Sequence, residues 1–195
     1  MYCDWRKNIA DNCAELDGDF VESMKRAKSL GYDGVEIHTS EPEVLDVGRL
    51  RRACEELDMF IATIGTGTVY WKYGLHLMDN DGERTNQLLE RLKIFIDIAE
   101  KLGSKVTIGS VKGNVPKGED RNPYLKRMAE NLKILDAYAE EKGVYLLLEA
   151  TNRFENNVLN TGKDVFQMIS ENHLTHTQAL MDSFHINIEE RDISK

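Results

Sequence analysis

The sequence lacks most of what would take it out of the soluble α/β class. Its three cysteines, Cys3, Cys13 and Cys54, are an odd number without C-x-x-C spacing. That excludes a disulfide framework and a cysteine-rich structural zinc site, and it suits a reducing compartment. No apolar run approaches the roughly 20 residues a membrane helix needs. The opening MYCDWRKN has no apolar stretch behind its basic residues, so no signal peptide is expected and a cytoplasmic location follows. Clustered positive charge is also scarce. The net charge is -9 and the pI about 5.1, a field that opposes a phosphate backbone and argues against a nucleic-acid partner. Arg49, Arg51 and Arg52 are followed at once by Glu55, Glu56 and Asp58, as on a solvated helix face. No G-x-G-x-x-G follows an early strand, so a doubly wound nucleotide fold is not announced. The Gly65-Thr66-Gly67-Thr68 stretch reads as a flexible loop rather than a phosphate cradle, with no helix expected to start there.

What is present is an alternation. Phe20, Val21, Met24, Ala27 and Leu30 keep helical spacing and end at Gly31, and GVEIH (34–38) follows as a strand. Leu50, Ala53, Cys54 and Leu57 precede FIATIG (60–65). Leu88, Leu92, Phe95, Ile96, Ala99 and Leu102 precede Gly103 and KVTIG (105–109). Leu125, Met128, Leu132, Leu135 and Ala139 precede Gly143 and VYLLLE (144–149). Thr161 with Asp164 three residues on predicts a capped helix, and QALMD (178–182) the next strand. MYCDW reads as a first strand, for six in all. Helix and strand in turn predict parallel strands with right-handed crossovers. Continuous apolar strands predict a sheet covered on both faces. No linker rich in Ser, Pro or Gly interrupts the pattern, so residues 1–195 are expected to form one domain.

A closed barrel of this kind places its chemistry at the C-terminal ends of the strands. Those ends carry Glu36 and His38, Glu149, and Asp182. A carboxylate ending an apolar strand must be paired, hydrogen-bonded or metal-bound. Each one alone reads equally as the cap of the next helix. Together at one mouth they are oxygen ligands suited to Mg²⁺ or Mn²⁺.

Two stretches carry a resemblance to a known family. LLLEATNRFENNVLNT (146–161) and ALMDSFHINIEERDI (179–193) resemble signature segments of the xylose-isomerase-like TIM barrel superfamily. Within it they are similar to the D-tagatose and D-psicose 3-epimerase and hydroxypyruvate isomerase group. The resemblance implies a (β/α)₈ barrel, here incomplete at about six units, with the last two missing. It implies a sugar isomerase or epimerase, ketose 3-epimerase-like, that moves a proton next to a carbonyl through an enediolate. Its cofactor would be Mn²⁺, Mg²⁺ or Co²⁺, with Zn²⁺ also admitted. Carried over by position, Glu149 resembles a metal ligand that is also an acid/base group. Asp182 resembles a second metal ligand, and His185 and Glu155 resemble residues contacting the sugar. A further histidine ligand and a second catalytic carboxylate would come from the seventh and eighth strands. The implied partner is a sugar or sugar phosphate, with homo-oligomerisation expected and no membrane.

Other residues are open to two readings. Arg153 can hold Glu149 or Glu155, or stand at the surface. Trp5, Tyr70 and Trp71 can wall a sugar or pack. Lys112 and Lys117 are expected as solvated loop lysines that can meet a phosphate. His76, His173 and His176 have no ligand spacing. Two alternative functions compete: an apurinic-endonuclease-like metal hydrolase, and a catalytically incomplete sugar-binding or assembly protein.

Overall fold

The computed structural model describes residues 19–192. The expected first strand at MYCDW, with Cys3, Trp5 and Cys13, lies outside them. Asp19 caps α1 (Phe20–Ser29) by accepting from the amides of Val21 and Glu22. Gly31 then turns the chain at φ 89° into β1 (Gly34–His38). α2 (Val47–Leu57) begins at the Asp46 cap and ends on Asp58, a left-handed non-glycine residue at φ 48°. β2 (Phe60–Gly65) follows.

A short helix, α3 (Gly67–Tyr73), occupies the stretch expected as a loop. Gly67 weakens its local propensity, but Val69 is fully buried and anchors it, an advantage of tertiary packing that periodicity over seven residues does not show. α4 (Gly82–Leu102) leads to β3 (Lys105–Ile108), and α5 (Asn122–Lys142) to β4 (Leu146–Glu149). α6 (Gly162–Glu171) starts in the capping box formed reciprocally by Thr161 and Asp164. β5 (Thr177–Leu180) ends two residues earlier than expected, and α7 (Ser183–Glu189) closes the described chain.

The strands form one parallel sheet in the order β1-β2-β3-β4-β5. Consecutive parallel neighbours joined by helices are the arc of a (β/α) barrel rather than a doubly wound sheet. Outside the arc, Leu88, Leu92, Phe95, Ile96 and Ala99 of α4 and Met128, Leu132, Leu135 and Ala139 of α5 are buried against Ile64, Val106, Ile108, Leu146 and Leu148. Each large side chain sealed in this way stabilises by about 1.5–3 kcal/mol relative to exposure. α5 is also tied to the loop before β5. Asp136 accepts from the amides of Thr175 and His176 and from the Thr177 hydroxyl. This layer fixes where the strand ends lie, and with them the polar groups of the mouth. Among the described residues no helix is long and apolar enough to cross a membrane.

Candidate metal and substrate site

Glu149 is the last residue of β4, and Asp182 and His185 lie just beyond β5 at the same end of the sheet. One carboxylate oxygen from each acid and a ring nitrogen of His185 lie within 4.8 Å of one another. Asp182 is also the N-cap of α7, its Oδ1 accepting from the Phe184 amide at 2.7 Å. The two readings open in the sequence are therefore compatible, because a carboxylate has a second oxygen free for a ligand. His185, one turn into α7, is buried. Its Nε2 stands 3.7 Å from Oε1 of Glu149 and its Nδ1 3.8 Å from Oε1 of Glu155. All four residues expected at the site meet there.

Asn152, in the loop after β4, holds two of them. Its amide nitrogen is 2.8 Å from Oε1 of Glu155 and 2.8 Å from Nδ1 of His185, and its Oδ1 accepts from the Phe154 amide at 2.9 Å. The resemblance motif contains this asparagine, but nothing in the sequence assigns it a role.

Lys112 corrects an expectation. It is not a solvated loop residue but fully buried at 0% exposure, whereas Lys117 is exposed. Its ammonium donates to the main-chain carbonyl of Glu149 and, at 3.1 Å, to the hydroxyl of Thr151. Burial lowers its pKa to about 8, against the attraction of Glu149 and Glu155. Burial also raises Glu149 to about 7; Lys112 opposes the shift, and the charges of Glu36, Asp182 and Glu155 add to it. The only signal in sequence was the position of Lys112 four residues past a strand end, and that does not distinguish an inward from an outward side chain.

Glycine shapes the floor of the mouth. A Cβ at Gly109 would overlap Oε2 of Glu149, and one at Gly65 would overlap the ring of His38. His38 stands 3.6 Å from Glu36, whose carboxylate raises the pKa of the imidazole. Glu36 in turn accepts from Thr107 at 3.4 Å, and Thr107 meets Thr63 at 2.7 Å. This polar line joins β1, β2 and β3 below the mouth.

The remaining candidates lie elsewhere. Arg153 holds neither Glu149 nor Glu155. It grips Glu189 in a bidentate pair at 2.9 and 2.8 Å, while its amide donates to the same carboxylate. The sequence offered only carboxylates near Arg153 in the chain, and its true partner lies 36 residues away. Tyr70 packs edge-on to Trp71 and to His76, whose buried Nδ1 has no hydrogen-bond partner among the described residues. His176 stacks on Tyr145, and His173 sits in a left-handed turn at φ 53°.

The chain is similar to proteins of known activity. A profile described as xylose isomerase-like TIM barrel matches residues 24–194. The 3-dehydro-D-guloside 4-epimerase of Escherichia coli (strain K12) is 26% identical over 193 residues, 94% of this chain and 71% of that protein. The D-psicose 3-epimerase of Enterocloster bolteae is 24% identical over 192 residues, 92% of this chain and 62% of that protein. Among solved structures, D-psicose 3-epimerase with D-tagatose from Clostridium cellulolyticum H10 superposes with a TM-score of 0.79 at 21% identity, over 90% of this chain and 62% of that one. The chain thus spans about two thirds of the length of these relatives.

Proposed function

Because the chain belongs to the xylose isomerase-like TIM barrel family, we propose that it acts as a divalent-metal-dependent ketose epimerase or isomerase. The observation that carries this reading is the convergence of Glu149, Asp182 and His185 within 4.8 Å at the C-terminal ends of neighbouring strands. Relatives named D-psicose 3-epimerase and L-ribulose 3-epimerase supply the substrate class, a ketose.

The donor set fits a hard cation. Glu149 and Asp182 offer carboxylate oxygens, and Glu36 and Glu155 add negative charge around them. Among these carboxylates the buried Lys112 is one positive charge, fewer than the acids it faces. Glu149 and Asp182 would hold the ion. Once bound, it would stabilise negative charge on the sugar oxygens beside the reacting carbon.

The residues of the chain do the rest. A carbon-bound proton next to a carbonyl is only weakly acidic, so the base must be close and tuned. Glu149 stands where such a base is needed: burial raises it to about 7 in the metal-free chain, and a bound cation would favour its ionised form, the form that takes a proton. Lys112 and Gly109 hold its backbone and leave room for its carboxylate. His185 and Glu155, both tied to Asn152, face the space beside Glu149 and would orient the hydroxyl and carbonyl oxygens of the sugar. Epimerisation also needs a second proton-transfer group on the opposite face of the carbon. The family resemblance assigns that role to a later strand.

Mn²⁺ should raise the thermal midpoint of the protein, and Glu149→Gln should abolish that rise. With D-psicose or L-ribulose in deuterated water, the wild type should exchange deuterium into the carbon beside the carbonyl, and Glu149→Gln should not. A wild-type protein whose midpoint is indifferent to Mn²⁺ and that exchanges no deuterium overturns the reading.

A further inference from the structure

We infer that Asn152 is a positioning residue that locks His185 in one tautomer, with the proton on Nε2, so that the histidine offers the site a hydrogen-bond donor rather than a metal-binding lone pair. The inference deepens the proposed function, on which its catalytic consequence rests. The tautomer itself is independent of it.

An asparagine side chain can be turned either way, and its orientation must be read from its partners. Here the Phe154 backbone N–H, which can only donate, lies 2.9 Å from one end of the Asn152 amide, so that end is the oxygen. The other end is then the NH₂ group, with two protons to give. One goes to Oε1 of Glu155 at 2.8 Å and the other to Nδ1 of His185 at 2.8 Å. A ring nitrogen that accepts carries no proton in the neutral imidazole, so the proton belongs to Nε2. The Phe154 N–H can only donate, so it fixes the polarity of the amide and, through it, of the imidazole.

The consequence falls on Nε2. It stands 3.7 Å from Oε1 of Glu149, beyond direct hydrogen-bonding distance. A sugar oxygen beside the two groups, off the line between them, can accept from Nε2–H. A cation cannot bind at that nitrogen without moving the proton, which Asn152 opposes at the other side of the ring. This leaves the cation to the two carboxylates and His185 to the sugar, the division that the family resemblance already implies, and Asn152 supplies the hydrogen bond that enforces it. His185 is buried and fixed near the start of α7, so it has little freedom to turn its ring out of this role.

The test uses the full chain labelled with ¹⁵N in histidine, in EDTA and without substrate, at a pH where the imidazoles are neutral. Long-range proton–nitrogen correlation spectra report which ring nitrogen of His185 carries the proton, with His185→Gln assigning the signal. The wild type should show the Nε2–H form, and Asn152→Asp, which can only accept at neutral pH, should show the Nδ1–H form. Asn152→Asp should also lower kcat on D-psicose by about 10–100-fold, the usual cost of losing a supporting hydrogen bond, while its Mn²⁺ affinity stays equal or tightens. A wild-type His185 in the Nδ1–H form or in a mixture overturns the inference, whether or not the variant folds. So does an Asn152→Asp protein that keeps Nε2–H. Failure of Mn²⁺ to bind would instead overturn the proposed function and leave the tautomer result standing.

Discussion

Gly109 stands where any side chain would collide with the carboxylate of Glu149, on the neighbouring strand. The glycine leaves open the volume that Oε2 occupies, and Lys112 three residues later grips the carbonyl of the same glutamate. The turn after β3 is thus the seat of the residue proposed as base. Gly109→Ala should weaken Mn²⁺ binding by about tenfold or more, in the range seen when the support of a ligand is disturbed. Gly67→Ala is the control, since its Cβ would meet Ser110 at an ordinary 3.5 Å. Titration calorimetry of both variants with Mn²⁺ checks the difference, and equal affinities would show that the seat is not needed.

The raised pKa of Glu149 has a signed consequence for the metal-free protein. Its pKa is about 7 in the folded state against an ordinary 4.5, so folding favours its protonated form. That contribution to stability is complete below about pH 4.5 and is lost as pH rises through about 7. In EDTA, Glu149→Gln should therefore flatten the fall in stability between pH 5 and 8 and should exceed the wild type in stability at pH 8. Urea denaturation at the two pH values measures it.

Lys112 is expected to stabilise the fold despite the cost of burying an ammonium. Replacing it with methionine leaves the Glu149 carbonyl and the Thr151 hydroxyl without their donor and removes the cation facing a buried carboxylate. The expected loss is about 1–3 kcal/mol, the scale for an unsatisfied buried partner. Chemical denaturation at pH 7 reads it directly. An unchanged or more stable Lys112→Met protein would mean that the desolvation cost of the ammonium outweighs its bonds.

Arg153 and Glu189 join the loop after β4 to α7, the two segments that carry the site. The Glu189 carboxylate is only 6% exposed, and Arg153 holds its pKa below the ordinary value through paired hydrogen bonds. Arg153→Ala should lower the thermal midpoint and weaken Mn²⁺ binding together. Arg153→Lys should recover little of either, because an ammonium cannot reproduce the two-pronged contact. Differential scanning calorimetry with and without Mn²⁺ separates the two effects.

How much of this was legible in the sequence depends on the range of the interaction concerned. The alternation of elements was readable because helical spacing, glycine stops and the Thr161–Asp164 box are encoded within a few residues of one another. Glu149, Asp182, His185 and Glu155 were singled out by two contiguous motifs at strand ends, and the fold brings the four together. The short helix at Gly67–Tyr73 was missed because its stability comes from burial of Val69 against distant residues.

The same distinction divides the site. The sequence by itself determined the class of fold, the strand ends and the acids that stand on them, because these follow from local periodicity and neighbouring residue types. Only the tertiary structure decided that Lys112 turns inward and that Arg153 grips Glu189 rather than Glu149. It alone placed Gly109 beneath a carboxylate and Asn152 between Glu155 and His185. Those four relationships span separations of 33 to 40 residues, apart from the Asn152–Glu155 bond three residues apart. Whether a side chain meets a strand, a loop or water at such separations is set by how the barrel arc closes, and no spacing along the chain contains it.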